Sequence, residues 1–303
     1  MSLMRRLLNP WLKAVEKRRM ARATPQGLRR ALEQQSRLFF RGPRGMQRKW
    51  VTIGGIDCLE LTCPGAQRAR VLFYIHGGGF VFGSPATHQA MAASLAQRLG
   101  AVAVLPRYRL APEAPYPAAP DDVRAAWEGL VAGGVNPDDV VLGGDSAGGA
   151  LAFGLVASLC AEKAALPGAV FGFSPLTDLT HSGDSFRTNA QADVVLPAER
   201  AGELAGLFLR GASAQEPRVS PLYGDFHGAP PAWVTVGDTE ILLDDARRLV
   251  ARMTDHAVAA ELHVAHDLPH VWPFFHNILP EARATLDRLA IWIKRQQGWA
   301  SES

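Results

Sequence analysis

The stretch Val140-Val141-Leu142-Gly143-Gly144-Asp145-Ser146-Ala147-Gly148-Gly149 decides how this chain is read. Its first three residues form an apolar, mostly β-branched run suited to a buried strand, and residues 148–160 read as a buried helix. Between them lies G-x-S-x-G, from Gly144 to Gly148, in the strand–turn–helix context that this motif requires. A serine at the apex of so sharp a turn is crowded. Side chains two residues to either side would collide with neighbouring backbone, and glycine at Gly144 and Gly148 removes the conflict. The turn lifts the Ser146 hydroxyl above the sheet at a helix N-terminus, whose positive end favours developing negative charge. Taken alone, the pentapeptide also fits a glycine turn whose serine only caps a helix.

Working outward, Val71-Leu72-Phe73-Tyr74-Ile75 is another buried-strand run, and it leads straight into His76-Gly77-Gly78-Gly79-Phe80. An H-G-G-G loop beside such a turn donates backbone N–H groups to a tetrahedral oxyanion. Gly78 and Gly79, with the N–H of Ala147, are the candidate donors. His76 is expected to brace the loop rather than act as a base.

Helical stretches at 87–98, 121–131, 243–253 and 280–295 alternate with strand-like runs at 102–106, 140–142, 170–173, 233–236 and 260–264. That rhythm implies an α/β fold, a mainly parallel sheet covered by helices on both faces. Residues 176–218 break it. They carry no strand pattern, with 197–209 helical, so they read as an insertion over the carboxyl ends of the strands, where ligands bind in such sheets. Ahead of the sheet, Leu3, Leu7, Leu8, Trp11, Leu12 and Val15 recur at helical spacing, and Thr24-Pro25 starts a second helix. Gly42-Pro43 closes that section. The expected organisation is a helical cap segment at 1–48 and one catalytic domain at 49–303, with a helical cap insertion at about 176–218.

The net charge of +3 conceals an uneven distribution. Residues 1–50 hold 14 Lys and Arg against only Glu16 and Glu33, so that segment is +12 and the remainder −9. A basic helical face resting on an acidic body accounts for this, and so does an arm that seeks an anionic surface. No apolar run reaches the ~18 residues of a membrane span. Charges from Lys13 to Arg19 interrupt any signal-peptide core. Cys58, Cys63 and Cys160 lack metal-ligand spacing and read as reduced thiols. The expectation is a cytoplasmic protein with no cofactor, no metal, no nucleic-acid partner and no stable membrane insertion.

In α/β-hydrolases the chain order is Ser, then Asp or Glu, then His. Of the histidines after Ser146, His270 follows the last strand and precedes the last helix, in the loop that returns to the serine. His266 is the second candidate, expected to bond nearby backbone, and His276 is expected on a helix surface. The acid should follow the strand at 233–236, where Asp238, Glu240, Asp244 and Asp245 compete. The last two suit a helix start. Spacing leaves Asp238 and Glu240 open.

Four motifs together resemble the hormone-sensitive-lipase family of esterases: His76 to Gly79, Tyr108-Arg109-Leu110-Ala111-Pro112-Glu113, Gly144 to Gly149, and Ser174-Pro175-Leu176-Thr177-Asp178. The likeness spans about residues 50–297. In that family the acid stands first in D-P-L-x-D-[DE]; here the segment reads Glu240-Ile241-Leu242-Leu243-Asp244-Asp245, so the aspartate position holds Glu240. The resemblance implies Ser146, Glu240 and His270 as catalytic residues, Gly78, Gly79 and Ala147 as the oxyanion hole, and hydrolysis of short- to medium-chain acyl esters. It also implies that Arg109 and Glu113 brace the site by local hydrogen bonds, and that Asp145 supports it from behind. Two other classes compete: a membrane-surface lipase, from the basic amphipathic N-terminus, and a catalytically silent small-molecule-binding protein, since gibberellin receptors resemble this family. Those receptors lack the catalytic histidine, which His270 supplies here. An edge strand at 260–264 is suited to pairing in a homodimer.

Overall fold

The computed structural model describes residues 2–299. Eight strands form one sheet: β1 (Gln47–Ile53), β2 (Ile56–Thr62), β3 (Gln67–Ile75), β4 (Ala101–Pro106), β5 (Val140–Asp145), β6 (Ala169–Phe173), β7 (Ala232–Gly237) and β8 (Ala260–Ala265). Their order is β1-β2-β4-β3-β5-β6-β7-β8. The β1–β2 and β2–β4 pairs are antiparallel, so β2 opposes the rest; β4, β3, β5, β6, β7 and β8 are mutually parallel. β1 opens with Gln47, Arg48 and Lys49, which pair along an exposed edge that needs no apolar side chains.

The two-residue period of the central strands divides the core. Phe73, Leu142, Val170 and Val234 face one layer, while Leu72, Val141, Phe171 and Trp233 face the other. Ten α-helices lie among the described residues. The N-terminal group is α1 (Leu3–Trp11), α2 (Arg18–Arg22) and α3 (Pro25–Phe39), followed by α4 (Pro85–Leu99), α5 (Ala118–Ala132), α6 (Ala147–Glu162), α7 (Asp184–Thr188), α8 (Ala198–Leu209), α9 (Leu243–Asp255) and α10 (Pro280–Gln296). α5, α6 and α9 cover the first face and α4 and α10 the second.

Two features place material above the strand ends. Residues 176–218 hold α7 and α8 and no strand. The N-terminal group is not one uninterrupted amphipathic α-helix: Pro10 lacks an N–H to donate, and the chain widens into a π turn at Leu12–Lys17 before α2. That group is anchored on the body. Arg5 pairs with the Asp267 carboxylate at 2.5 Å, Asn9 donates to Asp267, and Lys13 and Lys17 donate to carbonyls of residues 190–193. Among the described residues, no helix is long and apolar enough to cross a membrane.

Candidate active site

Ser146 stands between the end of β5 and the start of α6, with φ 51° and ψ −122°. A non-glycine residue at positive φ is strained, and the surrounding chain holds it there. Its N–H donates to the Phe173 carbonyl at 2.9 Å, and its carbonyl accepts from Ala150 and Leu176. The glycines permit the approach. A Cβ on Gly148 would lie 2.1 Å from the Ile75 carbonyl oxygen, and one on Gly144 would lie 2.5 Å from Gly148.

The Ile75 end of β3 continues into the glycine loop. Gly78 has φ 121°, and a Cβ there would meet the Phe82 carbonyl oxygen at 2.1 Å. The N–H groups of Gly78, Gly79 and Ala147 have no hydrogen-bond partner within the described chain. Asp145 fixes the loop from beneath: it accepts from Tyr74 Oη at 2.6 Å and from the Gly77 N–H at 3.1 Å, and it faces His88 at 3.4 Å. Burial opposes its charge, but His88 and Tyr74 outweigh that and hold the carboxyl below its ordinary range. His76 stacks on Tyr108 at 4.2 Å between ring centres, while Tyr108 Oη donates to the His76 carbonyl. Burial, and then His88, push the His76 imidazole down to about 3.

His270 lies past the end of β8, its Nδ1 2.6 Å from Glu240 Oε2. Glu240 Oε1 accepts from Ser174 Oγ at 2.7 Å and from the Gly237 N–H at 2.6 Å. The carboxylate is therefore buried with three donors, which a charge inside a protein needs. Asp238 points elsewhere. It meets His266 Nδ1 at 2.6 Å and accepts from the Asp267 N–H, so His266 bonds a carboxylate rather than nearby backbone. His270 and Ser146 are not hydrogen-bonded to each other, and in unliganded hydrolases that bond commonly forms only with substrate in place.

Ser146, His270, Gly78 and Gly79 all line one cavity of about 480 Å³, within the roughly 300–1,000 Å³ usual for small-molecule sites. Its walls are largely apolar. Trp11, Leu28 and Leu32 come from the N-terminal helices, and Phe186, Leu196 and Leu204 from the 176–218 insertion.

Residues 72–274 match the alpha/beta hydrolase fold family. An acetyl-hydrolase of Streptomyces hygroscopicus is 34% identical over 248 residues, 82% of this chain and 83% of its own length. An esterase of Acinetobacter venetianus is 34% identical over 268 residues, 88% of either chain. The crystal structure of an esterase from the bacterial hormone-sensitive lipase family superposes with a TM-score of 0.93 at 37% identity, covering 98% of this chain and 99% of that one. This chain belongs to the hormone-sensitive-lipase-like family of α/β-hydrolase esterases.

The esterase is a carboxylic ester hydrolase. Around its site stand residues that carried no local signal in the sequence. Asn189 donates to the carbonyls of Asp238 and Glu240, and Asp193 accepts from the Ile241 N–H at 3.0 Å, so the insertion clamps the loop that carries Glu240. Asp244 and Asp245 accept backbone N–H groups from Ser185 and from Thr177 and Asp178, tying the same insertion to α9. Arg109 is braced locally by Asp122, whereas Glu113 reaches across to Arg29 of α3. His276 is buried at the end of a short 3-10 turn, not exposed on a helix, because that turn packs beneath the chain leaving α3. Among the described residues, Asp225, His227 and His256 could approach one metal ion. The His227 and His256 rings stack, and His256 Nδ1 already accepts from the Phe226 N–H.

The charge balance around His270 gives the esterase a testable pH dependence. Burial alone would depress the imidazole, but the hydrogen bond and charge of Glu240, with Asp193 and Asp145 behind, hold it above its ordinary value of 6.5. With His270 as the base proposed below, acting in its neutral form, kcat/KM is expected to fall as pH drops through this raised value. The acid limb is expected above 6.5 in a pH–rate profile with a soluble ester. A limb well below that would contradict the electrostatics described.

Proposed function

We propose that the chain is a serine carboxylesterase for short- to medium-chain acyl esters, with Ser146 as nucleophile, His270 as general base and Glu240 as the residue that orients it. The observation that carries this reading is the 2.6 Å contact between His270 Nδ1 and the buried Glu240 carboxylate, on the wall of a cavity that also exposes Ser146. With Nδ1 engaged, Nε2 is left to take the serine proton.

Ser146 Oγ attacks the ester carbonyl carbon as its proton passes to His270. Charge develops on the carbonyl oxygen, and the unpaired N–H groups of Gly78, Gly79 and Ala147 stabilise it. One such donor is typically worth about 3 kcal/mol. The C–O bond then breaks, the alcohol leaves with the proton held by His270, and an acyl-enzyme remains. Water, deprotonated by the same imidazole, releases the acid. The N-terminal helices and the 176–218 insertion act as the cap that closes the apolar pocket around the acyl or alcohol chain.

A series of p-nitrophenyl esters tests the proposal. We expect kcat/KM to peak between acetate and octanoate and to be at least about tenfold lower for palmitate. No turnover of any ester would overturn the enzymatic reading, and a maximum at palmitate would overturn the chain-length assignment.

A further inference from the structure

The outer face of the N-terminal helices is apolar where a surface helix is normally polar. Leu3, Met4, Leu7 and Trp11 are between 43% and 68% exposed, and at 3.6 residues per turn they fall on one arc of α1. The inner side of the same segment is spoken for, since Arg5 is buried against Asp267 and Leu12 is buried in the core. At the far end of α3, Leu38 and Phe39 are 69% and 52% exposed. Six of the nine large apolar side chains exposed among the described residues thus lie in these helices, although single exposed apolar residues scattered over a surface would be unremarkable.

This apolar material borders the catalytic cavity. Trp11 and Phe39 are exposed and also line the cavity, so the patch lies at its mouth. The same N-terminal segment carries exposed cations: Arg6, Arg18, Arg22, Arg30, Arg37 and Arg41. None has a carboxylate partner among the described residues, whereas Arg5, Arg19 and Arg29 of the same segment do.

We infer that this face docks on an anionic lipid surface, with Leu3, Leu7, Trp11, Leu38 and Phe39 entering the apolar boundary and the arginines meeting the headgroups. An exposed apolar arc beside Arg and Lys is the composition of helices that lie in the membrane interface. The charge selects the occupant. A second copy meeting this face across a two-fold axis would set these unpaired arginines against the same arginines of the other copy, and repulsion would oppose it. An anionic bilayer is complementary to the same charge and attracts each cation near its surface. Docking would turn the cavity mouth toward the lipid, so an ester dissolved there could enter without crossing water. The inference stands on surface composition and is independent of the triad assignment.

The test is sedimentation of the full-length protein with vesicles of phosphatidylcholine alone or with 30% phosphatidylglycerol. A soluble ester, p-nitrophenyl butyrate, reports activity separately. We expect at least about tenfold stronger partitioning onto the anionic vesicles, weakened by salt. The variant Leu3→Ser/Leu7→Ser/Leu38→Ser changes side chains that do not line the cavity, and Arg30→Gln/Arg37→Gln removes two cations. Each should reduce vesicle binding several-fold and leave butyrate hydrolysis and thermal midpoint unchanged. Equal binding to both vesicle types, no binding to either, or wild-type binding by the serine variant would each overturn the inference. So would a wild-type dimer in sedimentation equilibrium that the serine variant converts to monomer, because a second copy would then cover the face.

Discussion

Ser146→Ala is expected to lower kcat for a p-nitrophenyl ester by at least about 10⁴-fold while leaving the protein folded. The expectation rests on what the substitution keeps. Alanine retains the Cβ, so the turn at φ 51° is held by the same backbone bonds to Phe173, Ala150 and Leu176. Only the Oγ is lost, and it has no hydrogen-bond partner within the described chain. Residual turnover would come from the N–H groups and the pocket alone, acting on water. The thermal midpoint should move by no more than about 2 °C, a fraction of a kcal/mol for a chain of this size. Turnover near wild type would remove Ser146 from the mechanism. Loss of activity with a collapsed midpoint would mean that the hydroxyl serves the fold instead.

Glu240→Gln should cost about 10³–10⁴-fold in kcat, and hydrogen-bond chemistry gives the reason. Oε1 accepts from both Ser174 Oγ and the Gly237 N–H, so the glutamine oxygen must remain on that side. Its amide N–H₂ then faces His270 Nδ1. Two donors cannot share that contact, so Nδ1 gives up its proton and Nε2 carries it. That tautomer cannot accept the proton of Ser146. The charge that raises the imidazole is lost as well, so any residual activity should show an acid limb at lower pH. Asp238→Asn is the comparison. Asp238 holds His266 and the Asp267 N–H, and its loss should change kcat by less than about threefold, in keeping with a partly exposed pair. The opposite ranking of the two variants would transfer the orienting role to Asp238.

The contrast between these carboxylates shows where the sequence stops being informative. Asp238 and Glu240 follow the same strand two residues apart, and both are compatible with the spacing. Their directions are set by distant parts of the chain. The Asp238 N–H continues the β7–β8 ladder to the Ala265 carbonyl, which leaves its side chain among the loop residues after β8. Glu240 is turned inward by Ser174 at the end of β6, while Asn189 and Asp193 hold its loop from the insertion. No window along the sequence contains those partners. His276 is a similar case. Its spacing after His270 suggested a surface helix, but a short turn packed beneath the chain leaving α3 buries it.

The sequence alone determined the features whose cause is local. Gly144 and Gly148 flank a serine because backbone approaches within a bond length or two of where a side chain would begin, and Gly78 and Gly79 after His76 leave their N–H groups unpaired. The two-residue and 3.6-residue periods marked strands and helices because each element buries its own face, and +12 charge in the first 50 residues was countable without any coordinates. Tertiary structure alone decided what depends on meeting across the chain: which carboxylate reaches His270, which residues clamp it, and which side of α1 is spent on the body. The last of these could not be read from amphipathic spacing, since a helical period says that a face is apolar but not what it will face. Here Arg5 and Leu12 turn inward, and Leu3, Leu7 and Trp11 are left outside at the mouth of the cavity that holds Ser146.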